Sequence, residues 1–123
     1  MKNYWEKYWK NKDIVSNIVD FMRAHYFADI PITYVGNVRG KNILEAGCGT
    51  SLTLLRISKI AKKVTGIDIS KRAISLSKAN FDINKIPKKK YSFVLGNIQN
   101  MEFNDNTFDV CFNTGVLEHF DNE

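Results

Sequence analysis

The sequence ILEAGCGTS at residues 43–51 joins a short apolar segment to a glycine-rich turn. The apolar segment at 42–46 predicts a strand, and leucine and isoleucine residues recur at helical spacing over 52–60. Gly47 and Gly49 let the backbone turn tightly and let a ligand approach without a Cβ in the way. Open α/β sheets bind their ligands where such a turn follows a strand, so we expect a ligand site here.

The rest of the chain continues the alternation of strands and helices. Residues 64–69 predict a second strand, Ser70 fits the N-cap of a helix over 71–84, and 91–95 and 108–112 predict two more strands. The first three strands have apolar residues on both alternations, which is typical of strands covered on both faces. This order predicts right-handed crossovers and a parallel sheet. We therefore predict an α/β fold, with an open Rossmann-like parallel sheet of about four strands.

The N-terminal residues predict a helical segment ahead of the sheet. Apolar residues recur there at helical spacing as far as Met22, and Asp13 would be an N-cap where the helix divides. The first of them form an aromatic stripe: Tyr4, Trp5, Tyr8 and Trp9. The stripe fits a core or cap better than a binding pocket, and both interpretations stay open. We divide the chain into a helical cap and loop at 1–40 and a sheet domain at 41–123.

Composition and charge exclude several classes of protein. The net charge of +5 is spread along the chain, and its one dense run, Lys88–Lys90, fits a solvated turn, so nucleic-acid binding is not expected. No apolar run approaches the about 18 residues of a membrane span, and no secretory signal is evident, which predicts a cytoplasmic protein. Cys48 and Cys111 lack metal-ligand spacing with the two histidines, so no metal site is expected.

The residues around the glycine turn discriminate between its ligands. A phosphate-binding P-loop needs a lysine after the turn, and residues 50–52 are Thr-Ser-Leu. A dinucleotide fingerprint needs a third glycine where this chain has Leu52. Glu45 would place a carboxylate near a pyrophosphate, whereas a cationic ligand would accept it. A nicotinamide-dependent oxidoreductase fragment is therefore the weaker alternative.

Together these motifs resemble the class I S-adenosylmethionine-dependent methyltransferases. ILEAGCGTS resembles their motif I, commonly (D/E)-x-G-x-G-x-G, and VTGIDIS at 64–70 resembles their second-strand motif with its terminal acidic residue. FVLGNIQNMEFNDNTFDVCFNTGVLEHF at 93–120 resembles their third- and fourth-strand region, in the style of the ubiquinone and menaquinone biosynthesis enzymes. YWEKYW at 4–9 is also common before such domains. The resemblance covers residues 1–122.

The resemblance implies a cofactor, S-adenosylmethionine, and a small-molecule methyl acceptor. It places Glu45 near the ammonium group of the methionine part and turns the backbone of Gly47 and Gly49 toward the same end. It implies that Asp68 accepts both ribose hydroxyls and that Ile69 packs on the adenine.

Four further residues receive roles from the resemblance. Asn97 would contact the adenine amino group, Ile98 would offer its backbone N–H, and Asn113 would border the methionine end. His119 would act as general base near the acceptor, because an imidazole titrates near neutrality. Ser51 replaces the third glycine of motif I and fits a helix N-cap.

Each role has a plainer alternative that the sequence leaves open. Asp68 would equally cap the next helix, Asn97 would serve as a turn residue, and His119 would lie on an exposed helix end. A non-catalytic relative that binds the cofactor or a partner is an alternative for the whole chain.

The resemblance also implies an incomplete sheet. The family has seven strands, and this chain supplies about four, so we interpret it as a truncated, cofactor-binding portion. The fourth strand would then form an exposed edge. We expect a homodimer or a complementing chain to pair there, and cofactor binding is better supported than turnover by this chain alone.

Overall fold

Strands and helices alternate along the chain, as predicted. The computed structural model describes residues 2–10, 36–114 and 116. In chain order the elements are α1 (Lys2–Lys10), β1 (Asn42–Ala46), α2 (Leu52–Ile57), β2 (Lys63–Asp68), α3 (Lys71–Ile83), β3 (Tyr91–Leu95) and β4 (Val110–Phe112). The lysine run Lys88–Lys90 forms a short 3-10 turn before β3, which agrees with its interpretation as a turn. The predicted helix beyond residue 10, Asp13 and His119 lie outside the described residues.

The four strands form one parallel sheet in the order β3-β2-β1-β4. In the register, Ala46 of β1 lies opposite Ile67 of β2, and Glu45 lies opposite Phe112 of β4. The chain runs outward from β1 to β2 and β3 and then returns to the other side of β1. The carboxyl ends of all four strands therefore meet at one edge, beside a topological switch point. The predicted fold class is confirmed.

The core lies between the sheet and the helices α2 and α3. Helix α3 buries one face, because the buried positions Ala73, Ile74, Ser77 and Phe81 recur at helical spacing. The ring of Phe81 lies 4.8 Å from that of Tyr91 and 4.9 Å from that of Phe93, measured between centroids. Ser70 caps this helix as predicted, because its hydroxyl accepts the Ala73 N–H at 3.2 Å. These contacts fix α3 against β2 and β3.

Strand β3 differs from its sequence expectation. Its residues 91–94 are only half-buried and Leu95 is 50% exposed, although the strand has apolar residues on both alternations. Within the described residues β3 pairs with β2 on one side and lies at the sheet edge. An edge strand is covered less than a central one, so its apolar character did not predict burial on both faces.

None of the helices in the described part of the chain is both long enough and apolar enough to cross a membrane.

Candidate functional site

The glycine-rich turn after β1 forms a loop of alternating left-handed residues. Gly47, Gly49 and Ser51 have φ of 74°, 54° and 59°. Glycine adopts this conformation without the steric cost that a Cβ adds. The loop is tied to the neighbouring strand, because the N–H groups of Gly47 and Cys48 both donate to the Ile67 carbonyl, at 2.8 and 3.0 Å.

The side chain of Asp68 connects this loop to the start of α3. One carboxylate oxygen, Oδ2, accepts the Gly49 N–H at 2.9 Å, and Oδ1 accepts the Ser70 N–H at 2.9 Å. Burial raises the pKa of Asp68, and the backbone hydrogen bonds oppose this. The plainer alternative, in which Asp68 binds the backbone at the start of the next helix, is therefore also seen in the structure. The backbone of Ile69 also hydrogen-bonds this carboxylate. A carboxylate has about four acceptor positions, and each oxygen can accept more than one donor, so a ligand hydroxyl can still bind there.

Glu45 is a buried carboxylate with one oxygen open. Thr114 Oγ1 donates to its Oε1 at 3.2 Å, while its Oε2 has no hydrogen-bond partner among the residues described. Burial raises the pKa of Glu45 to about 8, the Thr114 hydrogen bond lowers it and the Asp68 charge raises it further. A buried carboxylate oxygen without a donor is unfavourable, so the site suits a proton or a cationic ligand group.

Helix α1 covers the glycine loop. A Cβ placed on Gly49 would lie 2.8 Å from Cζ2 of Trp9, and one on Gly47 would collide with Val116. Glu6 of α1 accepts the Lys71 N–H at 2.6 Å, which holds α1 to the first turn of α3. Of the aromatic stripe, Trp9 covers the loop and is half-buried, whereas Tyr4 and Tyr8 are exposed.

The residues after β3 lie beside the end of β2. The Gly96 N–H donates to the Asp68 carbonyl at 2.9 Å, which places Asn97 and Ile98 at the same edge as the glycine loop. The Asn97 side-chain oxygen accepts the Gln99 N–H at 3.0 Å, so Asn97 is a turn residue in this structure. The predicted contact of Asn97 with the adenine would use the second lone pair of its Oδ1 or its side-chain NH2 group. This contact stays a prediction.

The predicted site residues divide into three groups. Direct contacts or shared loop geometry bring together Glu45, Gly47, Gly49 and Asp68. Ile69 follows Asp68 and makes a backbone hydrogen bond to its carboxylate. Three others lie at the same sheet edge: Asn97, Ile98 and Asn113. His119 lies outside the described residues.

Sequence reasoning missed three contacts of the site. Thr114 bonds Glu45 directly, and its place after Asn113 at the carboxyl end of β4 was a signal that could have found it. The contacts of Trp9 and Ser77 with the loop had no such signal, because they join distant parts of the chain.

The expectation that Ser51 acts as an N-cap through its side chain is wrong. Ser51 precedes α2 with a left-handed backbone and makes no side-chain capping bond. An N-cap needs an extended backbone to aim its oxygen at the first turn, and the left-handed conformation turns the hydroxyl elsewhere. It contacts the Ser77 hydroxyl at 2.8 Å instead.

Both cysteines are free thiols. Cys48 lies inside the glycine loop, and burial raises its pKa well above its usual range. A thiol that stays protonated is a poor nucleophile, so Cys48 has a packing role there. No group of three or more candidate metal ligands occurs within residues 2–10, 36–114 and 116.

The comparison with known families agrees with this geometry. Residues 44–123 match the family model described as a methyltransferase domain. The chain belongs to this methyltransferase domain family. The resemblance seen in the sequence motifs is thereby confirmed.

The relatives are longer than this chain, which spans only about a third to a half of their length. The chain is 35% identical over 94 residues to the mitochondrial ubiquinone biosynthesis O-methyltransferase of Dictyostelium discoideum, covering 69% of this chain and 29% of that one. A protein from Methanococcus maripaludis, assigned as an S-adenosyl-L-methionine-dependent methyltransferase, is 20% identical with a TM-score of 0.77, covering 94% of this chain and 52% of that one. The [4+2]-cyclase SpnF shares the fold at 22% identity and a TM-score of 0.64, covering 70% and 32%. The fold alone therefore does not define the reaction.

Proposed function

We propose that this chain is the S-adenosylmethionine-binding portion of a methyltransferase that acts on a small molecule. One observation carries the proposal: Glu45 is buried beside the glycine loop, and its Oε2 has no partner in the described ranges. The ammonium group of the methionine part is a cation that would satisfy this oxygen. A pyrophosphate is an anion that would gain no ion pair from Glu45 and would keep it protonated, so the site favours a cationic group over a dinucleotide.

The remaining residues fit the other parts of the cofactor. The Asp68 carboxylate suits the ribose hydroxyls, because each of its oxygens can accept more than one donor. Ile69 and Ile98 are half-buried apolar side chains that offer a surface to the adenine, with Asn97 beside them. Asn113 follows β4 next to Thr114, on the Glu45 side of the edge, and would border the methionine end.

The chemistry needs little from the protein beyond alignment. When bound, S-adenosylmethionine supplies a sulfonium methyl group that is already a strong electrophile. The chain's residues bind and orient it, and α1 excludes water from the loop through Trp9. We assign removal of the acceptor's proton to His119, because histidine is the side chain whose unperturbed pKa lies nearest neutrality.

We assign a small molecule as the acceptor class, because several relatives are named for the biosynthesis of ubiquinone. The Dictyostelium relative is named for ubiquinone biosynthesis, and a small aromatic acceptor agrees with that name. A nucleic-acid acceptor is disfavoured because the positive charge is spread along the chain. A cytoplasmic location stays a prediction from the sequence.

The outer edge of β4 is proposed as a pairing site. Among the described residues β4 pairs with β1 on one side, and its other side has no strand. A further strand, from a second copy or a complementing chain, would satisfy its backbone groups. Analytical ultracentrifugation should show a dimer of the isolated chain that a charged substitution such as Cys111→Lys weakens, since Cys111 is an exposed residue of β4. A stable monomer would contradict pairing between copies.

Calorimetric titration with S-adenosylhomocysteine tests the proposed function. The wild-type chain should bind one equivalent, and Asp68→Ala should abolish binding. Asp109→Ala is the matched control, because the Asp109 carboxylate also accepts a backbone N–H, from Asn42, at the opposite end of β1. Saturable NAD binding instead would favour the oxidoreductase alternative. Transfer of a labelled methyl group to candidate acceptors separates an enzyme from a non-catalytic relative.

A further inference from the structure

Helix α3 holds the glycine loop through two side chains. Ser77 Oγ donates to the Gly49 carbonyl at 2.7 Å, and Asn80 Nδ2 donates to the Thr50 carbonyl at 2.9 Å. The two residues are three positions apart and therefore lie on the same face of the helix. Two consecutive carbonyls of the loop are thus turned toward α3 rather than toward the ligand side.

The hydroxyls of Ser51 and Ser77 form a directed pair. Both residues are buried, and their oxygens lie 2.8 Å apart. Ser77 has a single hydroxyl proton, which it gives to the Gly49 carbonyl, so Ser51 must be the donor to Ser77. A chain of hydrogen bonds therefore runs from Ser51 through Ser77 to Gly49.

These bonds fix both peptide groups of Gly49. Its carbonyl accepts from Ser77, and its N–H donates to Oδ2 of Asp68 at 2.9 Å. Glycine by itself adopts many backbone conformations, so the orientation of these peptides depends on their partners. The orientation of the Asp68 carboxylate depends in turn on the Gly49 N–H.

We propose that Ser77 and Asn80, with Ser51, are positioning residues for cofactor binding. They hold the Gly49 and Thr50 peptides so that the Gly49 N–H orients Asp68 toward the ribose hydroxyls. This inference rests on the proposed function and adds the residues that set the geometry of its site. It also explains how the chain uses serine at the third position of the glycine motif, since Ser51 supplies a proton that a glycine lacks.

Three single variants test the proposal. Ser77→Ala and Asn80→Ala remove the two donors. Ser58→Ala is the matched control, because the Ser58 hydroxyl is also buried and donates to a backbone carbonyl, that of Leu55 in α2. Two quantities are measured in the full chain: amide hydrogen exchange of Gly49 by NMR without ligand, and the Kd of S-adenosylhomocysteine by calorimetry.

We expect Ser77→Ala to speed Gly49 exchange and to weaken binding, each about tenfold, which corresponds to about 1.4 kcal/mol. Asn80 is only partly buried, so water replaces its amide in part, and Asn80→Ala should weaken binding about threefold. Ser58→Ala should leave both quantities within about twofold of the wild type, although it also loses a buried hydrogen bond.

Equal effects of Ser77→Ala and Ser58→Ala on both quantities would overturn the proposal, because only general stability would then be at work. If Ser77→Ala does not fold, unchanged Gly49 exchange and unchanged Kd in Asn80→Ala would overturn it. Failure of the wild-type chain to bind S-adenosylhomocysteine refutes the proposed function instead. The exchange of the Gly49 amide is measured without ligand, so it tests the support of the loop by Ser77 and Asn80 even if the cofactor does not bind.

Discussion

Gly49 and Asp68 are joined by a hydrogen bond of 2.9 Å from the Gly49 N–H to carboxylate Oδ2. The bond connects the loop after β1 to the end of β2, across 19 positions of the chain. Since Oδ1 accepts the Ser70 N–H, one carboxylate sets the loop, the strand end and the start of α3 relative to one another.

Asp68→Asn should lower the free energy of unfolding by about 1–3 kcal/mol, because an amide offers one acceptor oxygen where two backbone N–H groups need acceptors. Urea denaturation measures this. Asp109→Asn at the other end of β1 is the control and should cost less, since the Asp109 bond to Asn42 is exposed. Equal stability of Asp68→Asn and the wild type would show that the carboxylate does not organise the loop.

Glu45→Gln should flatten the dependence of stability on pH. The folded chain holds the pKa of Glu45 at about 8, above its ordinary value of 4.5, so between these values the folded state binds a proton that the unfolded state has lost. Stability should therefore fall as pH rises through this window, by at most about 1.4 kcal/mol per pH unit. The amide variant lacks the titrating group.

Asp68 is a second carboxyl group whose pKa is raised by burial, so any decline that remains in Glu45→Gln is assigned to it. Urea denaturation of the wild type and the variant between pH 5 and about pH 8 measures the two slopes. An identical slope in the variant and the wild type would mean that Glu45 is ionised in the folded chain throughout.

Substitutions of Ser51 should separate backbone strain from hydrogen bonding. Ser51→Gly relieves a left-handed conformation, worth about 1–2 kcal/mol, and loses the bond to Ser77, worth about 1 kcal/mol, so its stability should stay within about 1 kcal/mol of the wild type. Ser51→Ala loses the bond and keeps the strain, so it should be less stable than Ser51→Gly by about 1 kcal/mol or more. Thermal or urea unfolding that ranks alanine above glycine would contradict the left-handed geometry.

Gly49→Ala should displace α1 from the loop. The new Cβ would lie 2.8 Å from Trp9, and the left-handed backbone adds its own cost. Gly40→Ala is a matched control, because Gly40 also has a positive φ of 69° but no atom within 4 Å of a Cβ there. Since the chain has two tryptophans, fluorescence reports the change: a red shift is expected in Gly49→Ala and not in Gly40→Ala. The same spectrum in both variants would mean that Trp9 does not cover Gly49.

Sequence predicted the strands best where turn residues mark both ends. The predicted bounds of β1 and β3 agree with the structure, since a glycine turn follows each strand and a turn or lysine run precedes it. Strand β4 begins two residues later than predicted. At Asp109 the backbone N–H still donates to the Asn42 carbonyl at 2.9 Å, but the Asn42 N–H donates to the Asp109 carboxylate rather than to a carbonyl of β4.

The site followed from sequence to the extent that its residues lie at strand ends. Glu45 was singled out because it precedes the glycine turn, and Asp68 because VTGIDIS resembles the second-strand motif of the family. Both lie where parallel strands bring their carboxyl ends together. The cap formed by Trp9 and the support from Ser77 could not be predicted, since each joins the loop to a distant segment without a local pattern.

The most direct test of the account is proton release during titration of the wild-type chain with S-adenosylhomocysteine at pH 7, measured by calorimetry in buffers of different ionisation enthalpy. At that pH the free chain holds a proton on Glu45, whose pKa is raised to about 8, and an ammonium group beside the carboxylate lowers that pKa. We predict one binding site with release of close to one proton, and no such release in Glu45→Gln. Binding without proton release, or no binding by a folded chain, would contradict the claim that Glu45 holds the cationic end of the cofactor.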